Sequence, residues 1–270
     1  MPVFVDPRQR PLRLADDTNG CFETMRAYRG RIFRLEDHLN RLYASAQFLG
    51  TRMPADRRTL ARQLTAALER SGLTEAVVRV ALLPRGARPA EASIVVQSVA
   101  LPSAAVYRRG IRVAIVPTRK FSVGAITPQA KYSARLGSVL AVMDAQLRGV
   151  DEALFMDALG YVTESTASNF GVIRHGEILT APCWVGLLAG ITRDVLFELA
   201  GRLSLAIRES PLTRHDVYNA EEAFLSSTIK EVLPVVEIDG RRIGTGRPGP
   251  LTRRLRSAFG DLVKTELGRR

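Results

Sequence analysis

The sequence contains few of the residues that staple small proteins or hold structural metals. Its 270 residues include two cysteines, Cys21 and Cys183, and three scattered histidines. Two cysteines do not make a disulfide framework, and no CxxC-like spacing predicts a zinc cluster, so we expect no metal site. A chain of this length buries a full core without staples. Disulfide-rich mini-proteins and small zinc modules are therefore excluded.

The sequence also lacks long apolar segments. No run approaches the ~18 consecutive apolar residues that are needed to span a bilayer. The first ten residues, MPVFVDPRQR, contain no apolar signal core. We therefore expect a cytoplasmic protein without a membrane partner. At roughly 150 residues per domain, the length indicates one large domain or two modest ones.

Lysine is scarce, although the chain is strongly basic. The formal net charge is +12, yet 35 of the 39 basic residues are arginines, and the four lysines are Lys120, Lys131, Lys230 and Lys264. Aromatic residues make up only 6% of the chain, and no basic stretch is interleaved with stacking side chains. We interpret the charge as a solvated surface and expect no nucleic-acid partner. A basic nucleic-acid-binding protein remains the remote alternative.

Helical and strand-like patterns are mixed along the chain without strict alternation. Apolar residues recur at helical spacing over residues 37–49, 57–70, 133–148, 191–203 and 251–267. Short β-rich runs lie between these segments, and the first of them is the alternating stretch 21–28. The pattern predicts a mixed α/β (α+β) protein of two domains. We place a small N-terminal domain at 1–118, a linker at 119–128 and a larger domain that carries Lys131 at 129–270.

Several polar residues suit a phosphorylated aldehyde cofactor. Lys131 lies at a loop-to-helix junction, where partial desolvation lowers the pKa of an amine and makes it a nucleophile. Glu164 follows a short strand, and Thr192 opens a helix whose N-terminus suits an anion. Each of these residues alone also fits an ordinary helix start, turn or cap. Together with Arg41 and a second hydroxyl-rich turn at 226–228, they match pyridoxal phosphate, which needs an amine, an acid beside its ring nitrogen and a phosphate cup.

Five blocks of the sequence resemble the class IV (fold type IV) pyridoxal-phosphate aminotransferases. This family includes D-amino-acid and branched-chain aminotransferases and aminodeoxychorismate lyase. The blocks cover nearly the whole chain and keep the family's order and spacing. They read CFETMRAYRGRIFRLEDHLNRLYASAQFL, KYSARL, GVDEALFMDALGYVTESTASNFGVI, GLLAGITRDVL and EEAFLSSTIKEVLPVVEIDGRRIGTGRPGPLTRRL.

The resemblance implies a two-domain fold type IV enzyme with pyridoxal phosphate as cofactor. Lys131 matches the catalytic lysine that forms a Schiff base with the cofactor and moves a proton during amino transfer. Glu164 matches the carboxylate that keeps the pyridine nitrogen protonated. The residues that match the family's other cofactor contacts are Arg41, Leu188, Ile191, Thr192, Ser227 and Thr228. The family's sites are completed across a dimer interface, so the resemblance also implies a homodimer.

The implied reaction is amino transfer between an amino acid, of D or branched-chain type, and a 2-keto acid. Some residues depart from the aminotransferase pattern. Ala134 and Arg135 replace a common Asn-Tyr pair, and Arg135 and Thr24 are more like the lyases, which release pyruvate and 4-aminobenzoate from aminodeoxychorismate. The lyase activity is therefore the alternative. Substrate-binding candidates are Thr24, Arg26, Arg135 and Ile229, although a structural role is the other interpretation of Arg26.

Overall fold

The computed structural model describes residues 20–121, 127–133 and 136–268. Its strands are β1 (Cys21–Tyr28), β2 (Arg31–Ile32), β3 (Ala76–Arg85), β4 (Arg88–Ser98), β5 (Ile111–Arg119), β6 (Glu152–Met156), β7 (Val162–Ser165), β8 (Asn169–Arg174), β9 (Glu177–Thr180), β10 (Ile207–Glu209), β11 (Glu222–Ser227), β12 (Glu231–Ile238) and β13 (Arg241–Arg242). Its α-helices are α1 (Leu35–Phe48), α2 (Arg57–Ser71), α3 (Ala104–Arg109), α4 (Leu136–Leu147), α5 (Ile191–Arg202), α6 (Arg214–Tyr218) and α7 (Pro250–Gly268). This mixture of elements confirms the predicted α/β class.

Local sequence signals explain where the early helices begin and end. The N-cap of α2 is Asp56, whose side chain accepts a hydrogen bond of 2.7 Å from the Thr59 amide. The helix ends at Gly72, which adopts a φ of 67°, a left-handed conformation that costs glycine little. Between these ends, leucines spaced four residues apart face the core: Leu60, Leu64 and Leu68.

The first compact unit is built around a four-stranded antiparallel sheet. It contains residues 20–100, 129–133 and 262–268, and its strand order is β2-β1-β3-β4. Helices α1 and α2 bury their apolar stripes in the same core as β1 and β3. We call this part the four-stranded unit.

The second compact unit is built around a larger mixed sheet. It contains residues 101–121, 127–128 and 136–261, and its strand order is β10-β9-β8-β11-β12-β5-β6-β7. Because β7 also pairs with β8, six of these strands form a closed ring with apolar side chains from β5, β6, β8, β11 and β12 in one cluster. Glu222 of β11 accepts hydrogen bonds from the Leu251 and Thr252 amides and so fixes the start of α7. We call this part the ring unit.

The two units do not divide at the residues that the sequence pattern indicates. Strand β5 belongs to the ring unit because it pairs with β12 and β6, although it precedes the predicted linker. The Lys131 segment belongs to the four-stranded unit because it lines the start of β1. There the Phe22 amide donates to the Lys131 carbonyl at 3.0 Å, and Cys21 forms an isolated antiparallel β-bridge with Tyr132 through the backbone.

Among the described residues, none of the helices combines the length and the apolar character that crossing a bilayer requires.

Candidate active site

A buried group of three charged or polar side chains joins β1 to α1 in the four-stranded unit. Glu23 is fully buried on β1, and Arg41 donates to its carboxylate from Nε at 2.7 Å and from Nη2 at 2.9 Å. His38, one turn before Arg41, places its Nδ1 2.8 Å from Glu23 Oε2. The two-pronged contact from Arg41 fixes the plane of its guanidinium.

Burial and charge act in opposite directions on this group. Burial raises the pKa of Glu23, but the Arg41 charge and the hydrogen bonds from His38 and Arg41 outweigh it and lower the pKa to about 2. Burial lowers the pKa of His38, and its contact with Glu23 opposes this only in part. The charges of Arg41 and Lys131 lower the pKa of His38 further, so His38 is neutral beside an ionised Glu23.

We expect this pair to make the protein less stable as the pH falls. His38 has a lower pKa in the folded chain than its ordinary value of 6.5, so the unfolded chain takes up its proton first. The free energy of unfolding should therefore fall by up to about 2 kcal/mol between pH 6.5 and 5, the linkage limit for one proton. Glu23 adds a further loss between about pH 4.5 and 2, because its pKa is depressed in the folded chain.

Urea unfolding at several pH values tests this expectation. The variant His38→Gln should show a shallower loss of stability below pH 6.5 than the wild type, since it lacks the buried imidazole. The exposed His215→Gln is the matched control and should keep the wild-type profile. An unchanged profile in His38→Gln would show that the buried imidazole does not cause the loss.

Lys131 is anchored to the same unit through its backbone. Its amide donates to Ser45 Oγ at 3.0 Å, and Ser45 Oγ in turn donates to the Arg41 carbonyl at 2.8 Å. The Lys131 ammonium lies 5.1 Å from the centroid of the Phe22 ring. The structure therefore brings the predicted catalytic lysine close to α1. Its contact on that helix, Ser45, lies one turn after Arg41, the predicted phosphate-binding arginine.

The two substrate candidates on β1 differ in their surroundings. Thr24 is half-buried in the centre of the strand and pairs in register with Arg79 of β3. Arg26 is buried, with Nη2 3.5 Å from Glu75 Oε2 and its guanidinium carbon 4.0 Å from the centroid of the Tyr28 ring. These contacts are those of an arginine that stabilises the sheet, which favours the structural interpretation of Arg26.

Glu164 is the centre of a polar cluster in the ring unit. It is buried at the end of β7, and its Oε1 lies 2.6 Å from Lys120 Nζ. Its Oε2 accepts hydrogen bonds from Asn169 Nδ2 at 3.3 Å and from the Leu188 amide at 3.2 Å. Leu188 thus reaches Glu164 through its backbone, and the carboxylate is fixed by donors from three separate segments.

Asn169 connects this carboxylate to the N-terminus of α5. Its Nδ2 also donates to the Leu188 carbonyl at 2.8 Å, and its side chain packs so closely on Gly190 that a Cβ there would lie 1.9 Å from Oδ1. Gly190 is the N-cap of α5 and provides no side-chain cap, and the buried Ile191 and Thr192 form the first turn. The amides of this turn carry the partial positive charge that favours an anion.

The second predicted anion turn lies in the hairpin between β11 and β12. Ser227 pairs with Glu231 across the hairpin, and residues 228–230 connect the strands. Ser227, Thr228 and Ile229 are all half-buried. Ala134 and Arg135 lie outside the described residues.

The family model described as "Amino-transferase class IV" matches residues 20–238. The chain belongs to the class IV aminotransferases. It is therefore a pyridoxal-phosphate-dependent transaminase, as the resemblance of its five blocks implied. The match covers parts of both units and includes the blocks that contain Arg41, Lys131, Glu164 and Thr192.

Relatives of this class IV aminotransferase carry one recurring name. A branched-chain-amino-acid aminotransferase of Pseudomonas aeruginosa is 35% identical over 263 residues, which cover 92% of this chain and 85% of the relative. A branched-chain amino acid aminotransferase of T.th., solved with pyridoxamine 5'-phosphate, has a TM-score of 0.88 at 30% identity, covering 98% of this chain and 92% of that one. The same T.th. protein was also solved with N-(5'-phosphopyridoxyl)-L-glutamate, with a TM-score of 0.86 and 30% identity over 98% of this chain and 91% of that one.

The donor set of this aminotransferase fits pyridoxal phosphate. In the ring unit, one asparagine connects a buried carboxylate with a helix N-terminus. The carboxylate suits a protonated ring nitrogen, and the helix N-terminus suits a phosphate. In the four-stranded unit, an amine lies near an arginine whose guanidinium is held in one orientation. Carboxylate, anion cradle, arginine and amine are the groups that the cofactor's chemistry requires.

Four residues that organise these groups were missed as site residues in the sequence. They are Glu23, Ser45, Lys120 and Asn169. The sequence pattern could have indicated Glu23, because this charged residue stands at a core-facing position of the alternating β1 stretch. The fold places it in contact with His38 and Arg41. Lys120 and Asn169 gave no such signal, since the one lies in a loop-like segment and the other in a run of small polar residues.

Proposed function

We propose that this chain is a branched-chain amino acid aminotransferase that acts on L-amino acids. It would move the amino group of leucine, isoleucine or valine to 2-oxoglutarate, with L-glutamate as the product. The observation that carries this proposal is the similarity to the T.th. enzyme, which covers 98% of this chain. The phosphopyridoxyl-L-glutamate complex of that enzyme supports both the L hand and glutamate as one of the substrates.

We propose the following roles for the residues of the site. Lys131 is the catalytic lysine and carries the proton. Glu164 is the partner of the ring nitrogen, and its Oε1 lies 2.6 Å from the ammonium of Lys120. The remaining cofactor contacts are Arg41, Leu188, Ile191, Thr192, Ser227 and Thr228. Thr24, Arg135 and the Ile229 amide are the candidates for contact with substrate.

The residues divide the work between binding and proton transfer. When it is bound, pyridoxal phosphate supplies a conjugated ring that accepts electrons from the substrate Cα. In the four-stranded unit, Arg41 offers a guanidinium of fixed orientation to an anion. In the ring unit, the first turn of α5 offers backbone amides to an anion, and Glu164 provides the negative charge that favours a protonated ring nitrogen. Lys131, anchored through its amide to Ser45, holds an amine that can take up and return a proton.

Initial rates with matched donors test the proposed specificity. With 2-oxoglutarate as acceptor, L-leucine, L-isoleucine and L-valine should give kcat/KM values at least about tenfold above that of D-alanine. Preference for D-alanine would instead favour a D-amino-acid aminotransferase. Release of pyruvate from aminodeoxychorismate without any keto acid would favour the lyase.

We also propose that the chain forms a homodimer through an apolar face of α4. One face of this helix is buried against β5 and β6 through Ala141 and Ala145. The other face exposes apolar side chains at helical spacing: Leu136, Val139, Leu140, Met143 and Leu147. An exposed apolar stripe on a helix whose opposite face is already buried marks an interface.

Sedimentation of an α4 variant tests the dimer. Leu140→Asp places a charge in the middle of the stripe and should raise the dimer dissociation constant by about a hundredfold, the effect of a central interface residue. Leu159→Asp changes an exposed leucine in the β6–β7 connection and should sediment as the wild type does. A wild type that is monomeric and fully active would refute the proposed dimer.

A further inference from the structure

The hairpin turn between β11 and β12 is held by one lysine that the proposed function has not used. Lys230 is the last connecting residue before β12, next to Ile229. Its amide donates to Ser227 Oγ at 3.2 Å, across the turn. Its carbonyl accepts a hydrogen bond of 3.0 Å from the Tyr107 hydroxyl. Both ends of its backbone are therefore fixed.

The side chain of Lys230 is fixed as well. Its ammonium forms an ion pair with Glu152 Oε2, and the two side chains are only 13% and 9% exposed. Glu152 is the first residue of β6, a strand that pairs with β5 and β7, neither of which belongs to the hairpin. A buried ion pair of this kind fixes the position of both partners at a desolvation cost.

Glu152 connects the turn to the segment that follows Glu164. Its other oxygen, Oε1, accepts a hydrogen bond of 2.6 Å from Thr166 Oγ1. Thr166 lies two residues beyond Glu164, between β7 and β8. The contacts from Lys230 to Glu152 and from Glu152 to Thr166 therefore connect the turn at 227–229 to the segment that follows Glu164.

Glu152 offsets the charge of Lys230. Lys230 therefore contributes to an anion site by fixing the position of the turn, and not by attracting the anion with its charge. A lysine that attracted phosphate or carboxylate directly would place its ammonium toward the ligand and away from a buried acid. Here the ammonium faces the acid, and the backbone of the turn is what remains for binding. The amides of residues 228 and 229 belong to the turn that Lys230 closes through its own amide.

We propose that Lys230 is a positioning residue that fixes the anion-binding turn at 227–229 through its ion pair with Glu152. It thereby sets the affinity of that turn for the phosphate of the cofactor and for the carboxylate of the amino acid. This inference rests on the proposed function, which gives the turn its anion-binding role.

Three single variants test the positioning role. Lys230→Met should raise the KM for L-leucine about tenfold while kcat changes by less than about threefold, because binding is lost without loss of the reacting groups. Equilibrium dialysis of the apoenzyme should show a similar weakening for pyridoxal phosphate. Glu152→Gln should have the same effects, since it releases the same anchor. Lys230→Arg should restore most of the affinity, because it keeps the charge that pairs with Glu152.

The double variant separates position from stability. Lys230→Met alone leaves the Glu152 charge buried and unpaired, which can impair folding. Lys230→Met with Glu152→Gln removes that charge, and its KM should be no higher than that of the worse single variant. Lys264→Met, on the exposed face of α7, is the matched control and should behave as the wild type does.

Two outcomes would overturn the inference while leaving the proposed function intact. One is that the wild type is active and Lys230→Met has the same KM and the same cofactor affinity as the wild type. The other is a lower KM in Glu152→Gln, which would show that a released ammonium attracts the substrate directly. A wild type that transfers no amino group would refute the proposed function itself, and this inference with it.

Discussion

Replacing Lys131 with alanine should abolish amino transfer while leaving the protein folded. We expect kcat to fall by at least about a thousandfold, within the range that a positioned proton-transfer group contributes. The fold should persist because the hydrogen bonds that anchor this segment use the Lys131 amide and carbonyl, which alanine retains. Initial rates and thermal unfolding measured on the same preparation give both results.

Lys264→Ala provides the control for the loss of a lysine. Lys264 is exposed on α7, and its replacement should leave both rate and melting temperature near the wild-type values. If Lys131→Ala turned over amino acids at the wild-type rate, the assignment of the catalytic lysine would be wrong.

Replacing Arg41 with methionine should cause the largest loss of stability. The change leaves the fully buried Glu23 carboxylate without its cationic partner, and breaking a buried pair in this way costs about 3–5 kcal/mol. The variant should also bind pyridoxal phosphate more weakly, because Arg41 is a proposed phosphate contact. Urea unfolding of the apoprotein and equilibrium dialysis with the cofactor measure the two effects separately.

The double variant Glu23→Gln with Arg41→Met distinguishes charge from packing. It removes the stranded carboxylate, so we expect it to recover at least about 1 kcal/mol relative to Arg41→Met. Arg57→Met is the matched control, since this exposed arginine stacks on the Tyr43 ring at 5.1 Å and should cost less than about 1 kcal/mol. A double variant as unstable as Arg41→Met would show that lost packing, not the buried charge, is the cause.

Strong periodicity made most of the fold predictable from the sequence. The strand over 21–28 and the helix that begins at residue 57 were identified at their true starts, because alternating and four-residue apolar patterns each match a single face. The missed elements are short and gain their stability from distant partners. Strand β10, three residues long, exists because it pairs in parallel with β9, and that pairing leaves no local pattern.

The residues of the site were less predictable than the fold. Family motifs single out Lys131, Glu164 and Arg41 as candidates, since each stands in a recognisable block. The side chains that hold them could not be read in the same way, because their partners are distant in sequence. Ser45, for example, is 86 residues away from Lys131, whose amide it holds, and Lys120 is also distant in sequence from Glu164. Such pairs become visible only when the folded chain brings their segments together.

The half-reaction with a single amino acid tests the central claim most directly. The purified protein, loaded with pyridoxal phosphate and freed of keto acid, is mixed with L-leucine while its visible spectrum is recorded. A transaminase should convert the cofactor to its pyridoxamine form, release one equivalent of keto acid per site, and return to the starting spectrum when 2-oxoglutarate is added. A spectrum that stays unchanged with L-leucine and with every other amino acid tested would contradict the transaminase account.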